Sequence, residues 1–158
     1  MAPDPGATHG AALATLEHHF HAMPPVAALR IRVDGFDGDC LRLSAPLAVH
    51  VNDKGCAFGG SLGSLMTLAA WGVVTLRLQA AGIAADVFVA DSDVRFLAPL
   101  FADLHAEARL ADPGEWDGFI ARLRERGRAG LRLAACVRLP DGAIAASSQS
   151  RYVAVAKG

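Results

Sequence analysis

Residues Gly59-Gly60-Ser61-Leu62-Gly63-Ser64-Leu65-Met66-Thr67-Leu68-Ala69-Ala70-Trp71-Gly72-Val73-Val74-Thr75-Leu76-Arg77-Leu78 decide the fold. Apolar side chains fall on nearly every face of a helix drawn through Leu62 to Leu78, and Gly82 offers a stop. The spacing predicts one helix of about five to six turns. Gly63, Ser64, Thr67, Thr75 and Arg77 interrupt the run, which falls short of a membrane span on this reading. A helix apolar all round must be buried, and one layer of partner structure leaves part of it bare. A sheet is expected to cover one side and a second copy of the chain the rest.

Outward from that helix the pattern changes to alternation. Leu29, Ile31 and Val33, then Leu41 and Leu43, alternate on either side of Asp34-Gly35-Phe36-Asp37-Gly38-Asp39, a hairpin signal. Ahead of them, residues 1–7 have the composition of a flexible tail. Thr8 can cap a helix running to about His21, with Leu13, Leu16 and Phe20 on one face and Met23-Pro24-Pro25 ending it. After the central helix, residues 86–97 and 103–110 read as strands. Asp112-Pro113-Gly114 reads as a turn and residues 115–126 as a helix with a solvated arginine face. Residues 131–139 and 143–155 form a hairpin across Pro140-Asp141-Gly142. The order describes one α+β domain over residues 1–158, an antiparallel sheet wrapped around a long central helix.

Composition excludes several partner classes. Fifteen Lys plus Arg stand against sixteen Asp plus Glu, a net charge of -1, so no global field would hold nucleic acid or an anionic membrane. Cys40, Cys56 and Cys136 are odd in number and lack CxxC spacing, so they read as reduced thiols. With no basic stretch leading into an apolar run at the start, a cytoplasmic location is expected.

The chemistry concentrates in Asn52-Asp53-Lys54-Gly55-Cys56-Ala57-Phe58-Gly59-Gly60-Ser61. Paired glycines directly before a helix let a ligand reach backbone amides at its positive end. A thioester hydrolase needs such donors, because the carbonyl oxygen gains negative charge under attack; one fixed donor contributes roughly 3 to 4 kcal/mol. Gly59 and Gly60 are the expected donors, with tight packing of the helix start as the plain alternative.

Asn52 followed by Gly59-Gly60 at the head of a long apolar helix resembles the hot-dog thioesterases related to phenylacetyl-CoA hydrolases (PaaI-type). In that family a His precedes the glycines and a carboxylate sits on the helix; Phe58 and Thr67 stand at those positions here. A second resemblance is to the thioesterase family of the YiiD C-terminal domain. It is carried by Leu43-Ser44-Ala45-Pro46-Leu47, Asn52-Asp53-Lys54-Gly55, Phe58-Gly59-Gly60-Ser61-Leu62 and Ala90-Asp91-Ser92-Asp93-Val94-Arg95-Phe96-Leu97-Ala98-Pro99. It implies a hot-dog fold, an acyl-CoA or acyl-carrier-protein substrate, and a homodimer or dimer of dimers.

With the usual His and carboxylate missing, the water-activating base must come from elsewhere. Asp53, in the loop, and Asp93, mid-strand in a run where Asp91, Asp93 and Arg95 share a face, are the candidates. A loop or capping contact for Asp53, and Asp93 or Asp91 pairing with Arg95 at a subunit contact, are the ordinary alternatives. Ser61, Ser64 and Thr67 form a polar stripe on the helix. Ser64 or Thr67 would orient water or thioester beside Asn52, unless these hydroxyls bond the preceding turn. Phe58, Ser61 and Arg95 complete the expected substrate contacts. Thioester hydrolysis by water requires no metal or redox cofactor. Cys56 near His50 as a nucleophile, His18 and His21 as metal ligands, and Arg122, Arg124, Arg126 and Arg128 as phosphate contacts are weaker readings. The rivals to hydrolysis are a non-catalytic acyl-thioester binding module and a hot-dog hydratase or dehydratase.

Overall fold

The computed structural model describes residues 5–158, with side chains from His9 onward. Helix α1 (Pro5–Ala22) begins ahead of the cap expected at Thr8, because a proline in the first turn has its φ preset and needs no amide partner. Of the tail expected over residues 1–7, residues 1–4 lie outside the described residues and Pro5 onward is helical. Pro24 does not only stop α1: it opens a short second helix, α2 (Pro24–Ala27).

Strands β1 (Arg32–Phe36) and β2 (Leu41–Ala45) form the expected hairpin, but Leu29 and Ile31 precede β1 and Phe36 belongs to it rather than to the turn, where Asp37 Oδ1 accepts from the amides of Asp39 and Cys40. Then come α3 (Gly59–Ala80), β3 (Ala85–Phe96), β4 (Leu104–Leu110), α4 (Trp116–Arg126), β5 (Arg128–Arg138) and β6 (Ile144–Ala156). β5 starts three residues before the expected 131. Gly127, at φ 72, ends α4 in the left-handed conformation and turns the chain at once into the strand.

The six strands form one antiparallel sheet in the order β1-β2-β4-β5-β6-β3. Its inner face carries Leu41, Leu43, Leu104, Leu131, Leu133 and Tyr152, all buried, and Leu65, Met66, Ala69 and Val73 of α3 are buried in the same core. The approach of α3 to β2 is close enough that a Cβ on Gly72 would lie 2.4 Å from Leu41 Cδ2. Leu16 and Phe20 of α1 and Phe119 and Leu123 of α4 close the ends of the core. By length and composition α3 passes for a membrane span, a stronger apolar character than its interruptions suggest; in this fold 61% of its most apolar window is buried.

Edge strand β3 sets up the site. It pairs only with β6, and a bulge at Ala90 shifts its register between Val89 and Asp91. Beyond the bulge, Ser92 and Val94 oppose Ser150 and Ser148, both buried, and so face α3. Asp91, Asp93 and Arg95 therefore face away from α3, by the two-residue period of a strand.

Candidate functional site

A cleft of about 490 Å³ opens between α3, α2 and the second half of β3. Its helix wall is Gly60, Gly63, Ser64 and Thr67, small residues about one turn apart that leave room beside an otherwise bulky helix, followed by Leu68. β3 contributes Ser92 and Val94, and the α2 segment contributes Pro25, Val26 and Leu29. The lining is thus mostly apolar with a few hydroxyls, the composition expected of a small-molecule site. Among the described residues, no carboxylate and no imidazole lines it.

The helix start provides amide donors. Ser61 N and Leu62 N are both satisfied by Phe58 O, at 3.0 and 3.2 Å, while the amides of Gly59 and Gly60 have no backbone acceptor among the described residues. Only Gly60 borders the cleft. Gly59 faces a separate apolar depression beside Phe96, Leu97 and Leu100. Phe58 does not point into the core; it is 57% exposed, and its ring lies over Gly60.

Of the expected polar stripe on α3, Ser64 and Thr67 face the cleft with no side-chain partner among the described residues, so the ordinary i−4 carbonyl bond is not made. The Thr67 carbonyl is held by Tyr152, whose hydroxyl donates to it at 2.7 Å. Ser61 departs from the stripe. It is buried against His50, with Ser61 Oγ 2.8 Å from His50 Nδ1, and His50 Nε2 is 2.7 Å from Leu29 O. A carbonyl only accepts, so neutral His50 carries its proton on Nε2 and accepts from the Ser61 hydroxyl on Nδ1. His50, 3% exposed, therefore ties the cleft wall at Leu29 to the start of α3.

Both expected bases lie elsewhere. The Asp53 side chain is 81% exposed and pairs with neighbouring Lys54 at 3.0 Å, the loop contact that was its alternative. Asp93 and Arg95 sit on the outer face of β3, away from α3. Asp91 pairs with Arg151 of β6 at 3.1 Å rather than with Arg95. Asn52 is consumed locally: its Oδ1 accepts from the amides of Lys54 and Cys56 at 2.8 and 3.2 Å, and its Nδ2 donates to Cys56 Sγ at 3.3 Å. It shapes the loop that delivers Phe58 and the glycines. Cys56 is engaged by Asn52 and not by His50. His19 stacks on Trp71, and His21 bonds the Ile31 carbonyl.

The residues that the sequence missed are Ser92, Val94 and the α2 wall. Ser92 lies between Asp91 and Asp93, and strand alternation alone would have put it on the opposite face from them. Its Oγ is 2.8 Å from Ser150 Oγ, which leaves it at the rim of a small hydroxyl network.

Comparison with known proteins agrees with this geometry. The family described as putative thioesterase (yiiD_Cterm) matches residues 13–156. A solved protein of unknown function from Chlorobaculum tepidum is 26% identical, with TM-score 0.89, covering 94% of this chain and 97% of that one. A putative thioesterase from Shewanella oneidensis is 29% identical, with TM-score 0.82, covering 92% and 99% respectively. A Pseudomonas aeruginosa protein at 23% identity and TM-score 0.78 shares the fold, over 91% of this chain and 95% of that one. The architecture is the hot-dog fold that the resemblance implied.

Proposed function

Because the chain belongs to the YiiD C-terminal thioesterase family, matched over residues 13–156, we propose that it hydrolyses acyl thioesters by direct attack of water. The observation that carries this reading is the acyl-sized cleft with the unpaired Gly60 amide at its edge, at the positive end of α3. The acyl chain lies against Val26, Leu29, Leu68 and Val94. The carbonyl oxygen receives the Gly60 N–H, and the Ser64 and Thr67 hydroxyls hold the attacking water. Water adds to the carbonyl carbon, the C–S bond breaks, and the proton released goes to solvent or to the departing thiolate. A thiol pKa near ~8.5 makes sulfur a good leaving group, so the site need not supply an acid to it. What the protein contributes is polarisation of the carbonyl and placement of the water.

The working unit in this reading is a homodimer built along the free edge of β3. Phe88, Val89, Phe96 and Leu97 are exposed on or just beyond this unpaired edge, and an edge this long is a template for pairing with a second copy. The second reading, a binding module without turnover, is favoured by one observation: no carboxylate or imidazole among the described residues faces the cleft. A hydratase, which needs an acid–base pair in the pocket, is disfavoured by the same fact.

The test is thiol release from short, medium and aromatic acyl-CoA, corrected for the protein's own three cysteines, beside Ser64→Ala and Thr67→Val. Turnover that falls about tenfold or more in either variant supports hydrolysis at this cleft. Acyl-CoA binding with no thiol release from any substrate would establish the binding module instead.

A further inference from the structure

The segment from Pro24 to Arg30 is a wall with two sides. Pro25, Val26 and Leu29 face the acyl cleft, while Ala27 and Arg30 border a second, larger cleft of about 670 Å³ between the end of α1 and the β2 and β4 ends. This second cleft is basic. Arg30 and Arg32 line it together with His21 and His105. Neither arginine belongs to an ion pair among the described residues. Among the described residues it has one lining carboxylate, Asp103, which keeps its charge while accepting from the Leu47 amide at 2.9 Å, so the two arginines outnumber it. The nearby Asp34 accepts from the Ser44 hydroxyl at 3.0 Å. Arg30 has φ 51, the one positive φ at a non-glycine position among the described residues. A strained backbone is kept where the surrounding structure holds it, and here it sets where the guanidinium emerges.

We propose that this cleft binds the phosphate groups of a coenzyme A thioester whose acyl end lies across the wall in the Gly60 cleft. The assignment rests on the thioester reading for the acyl end and goes beyond it by choosing coenzyme A over a carrier protein. Planar guanidinium groups grip phosphate oxygens through paired, charge-assisted N–H donors, and two permanent charges without carboxylate partners are suited to such an anion. A coenzyme A ester separates its thioester from its phosphates by a long pantetheine arm. One molecule therefore needs an apolar site and a basic site that are adjacent and distinct, and the Pro24 to Arg30 wall provides that adjacency. The earlier candidates for this role, Arg122, Arg124 and Arg126 of α4 and Arg128 at the start of β5, lie elsewhere: α4 packs on β5, and its Trp116 meets Arg77 near the C-terminal end of α3, far along the helix from Gly60.

The test uses free coenzyme A, 3′-dephospho-coenzyme A and pantetheine as calorimetric probes of the full chain, with Arg30→Gln, Arg32→Gln and the double variant. Both side chains are exposed, and thermal melting checks that the variants fold. The expected result is coenzyme A affinity at least tenfold weaker in the double variant, a smaller loss for the dephosphorylated form, and pantetheine binding unchanged. KM for acyl-CoA should rise with kcat unchanged. Coenzyme A affinity that is unaltered, or that falls no more than pantetheine affinity, overturns the assignment. So does a KM effect confined to acyl-carrier protein, which would make the cleft a protein-docking site. If coenzyme A affinity falls as stated while no thioester is hydrolysed, the phosphate site stands and the hydrolase reading fails. If turnover is seen but coenzyme A binding ignores both arginines, the reverse holds.

Discussion

The ring of Phe58 lies over Gly60 so closely that a Cβ on Gly60 would stand 2.5 Å from Phe58 Cε1. The glycine is therefore required by an aromatic neighbour as well as by a ligand. In Gly60→Ala the exposed Phe58 ring must swing away, so the melting temperature should change little, while thiol release should fall about tenfold as the ring no longer borders the amide. Adding Phe58→Ala removes the clash. If the double variant stays slow, the missing ring or the added methyl is the cause, and Phe58→Ala alone separates the two; if it recovers, the displaced ring was obstructing the cleft.

Gly72 meets its neighbour differently. A Cβ there would lie 2.4 Å from Leu41 Cδ2 and 3.4 Å from Leu16 Cδ2, and both leucines are buried. Gly72→Ala gains helix propensity but forces two core side chains aside. The net effect should be a loss of about 1–3 kcal/mol, read as a lower urea midpoint with unchanged slope.

The fold was legible because its decisive signals are local. The apolar run of α3, the Asp-Gly turn at Asp141-Gly142 and the alternation of β2 each need only a window of sequence. The site was half legible. Helical spacing grouped Ser61, Ser64 and Thr67; Ser64 and Thr67 do line the cleft beside Gly60, whereas Ser61 is buried against His50. Neither expected base lines the cleft, because sequence proximity is not convergence: Asp53 has Lys54 to satisfy it in its own exposed turn, and Asp93 is turned outward by the strand period that turns Ser92 in. The α2 wall, with Val26, Leu29 and Arg30, depends on a tertiary fold-back that no local pattern encodes.

Asp53→Asn and Asp93→Asn should therefore leave kcat within about twofold of the parent, whereas Ser64→Ala or Thr67→Val should not. Rates from the same thiol-release assay decide it. A collapse of activity in either Asp variant would mean that a partner subunit or a loop movement brings that carboxylate to the cleft.

Acid should weaken the outer face of the sheet at Glu107. Burial alone would raise the pKa of its carboxyl, but hydrogen bonds from Arg138 and Cys136 and the charges of Arg138 and Arg109 outweigh this and hold it below its ordinary 4.5. A depressed folded pKa means the stabilisation is present above the unfolded value and is lost as pH falls through the folded one. Glu107→Gln should cost roughly 1 kcal/mol at neutral pH and flatten the fall in stability below pH 4.5, measured by urea melts across that range. The same substitution should make the Cys136 thiol easier to ionise. Burial and the Glu107 charge now push it up to about 11, and alkylation rate against pH would report the change.

His50 offers the sharpest separation of architecture from chemistry. It is buried, hydrogen-bonded at both ring nitrogens, and joins Leu29 of the cleft wall to Ser61 of α3. His50→Ala leaves the Leu29 carbonyl and the Ser61 hydroxyl without their partner, a loss of roughly 1–3 kcal/mol. Ser61→Ala removes only one of the two bonds and should cost less. If His50 acts only by fixing the wall, Ser61→Ala should raise KM through a looser α2 and leave kcat and its pH profile as they were. If kcat falls steeply in Ser61→Ala at unchanged stability, the Ser61–His50 pair takes part in the reaction itself, and the water-attack reading gives way to a serine nucleophile.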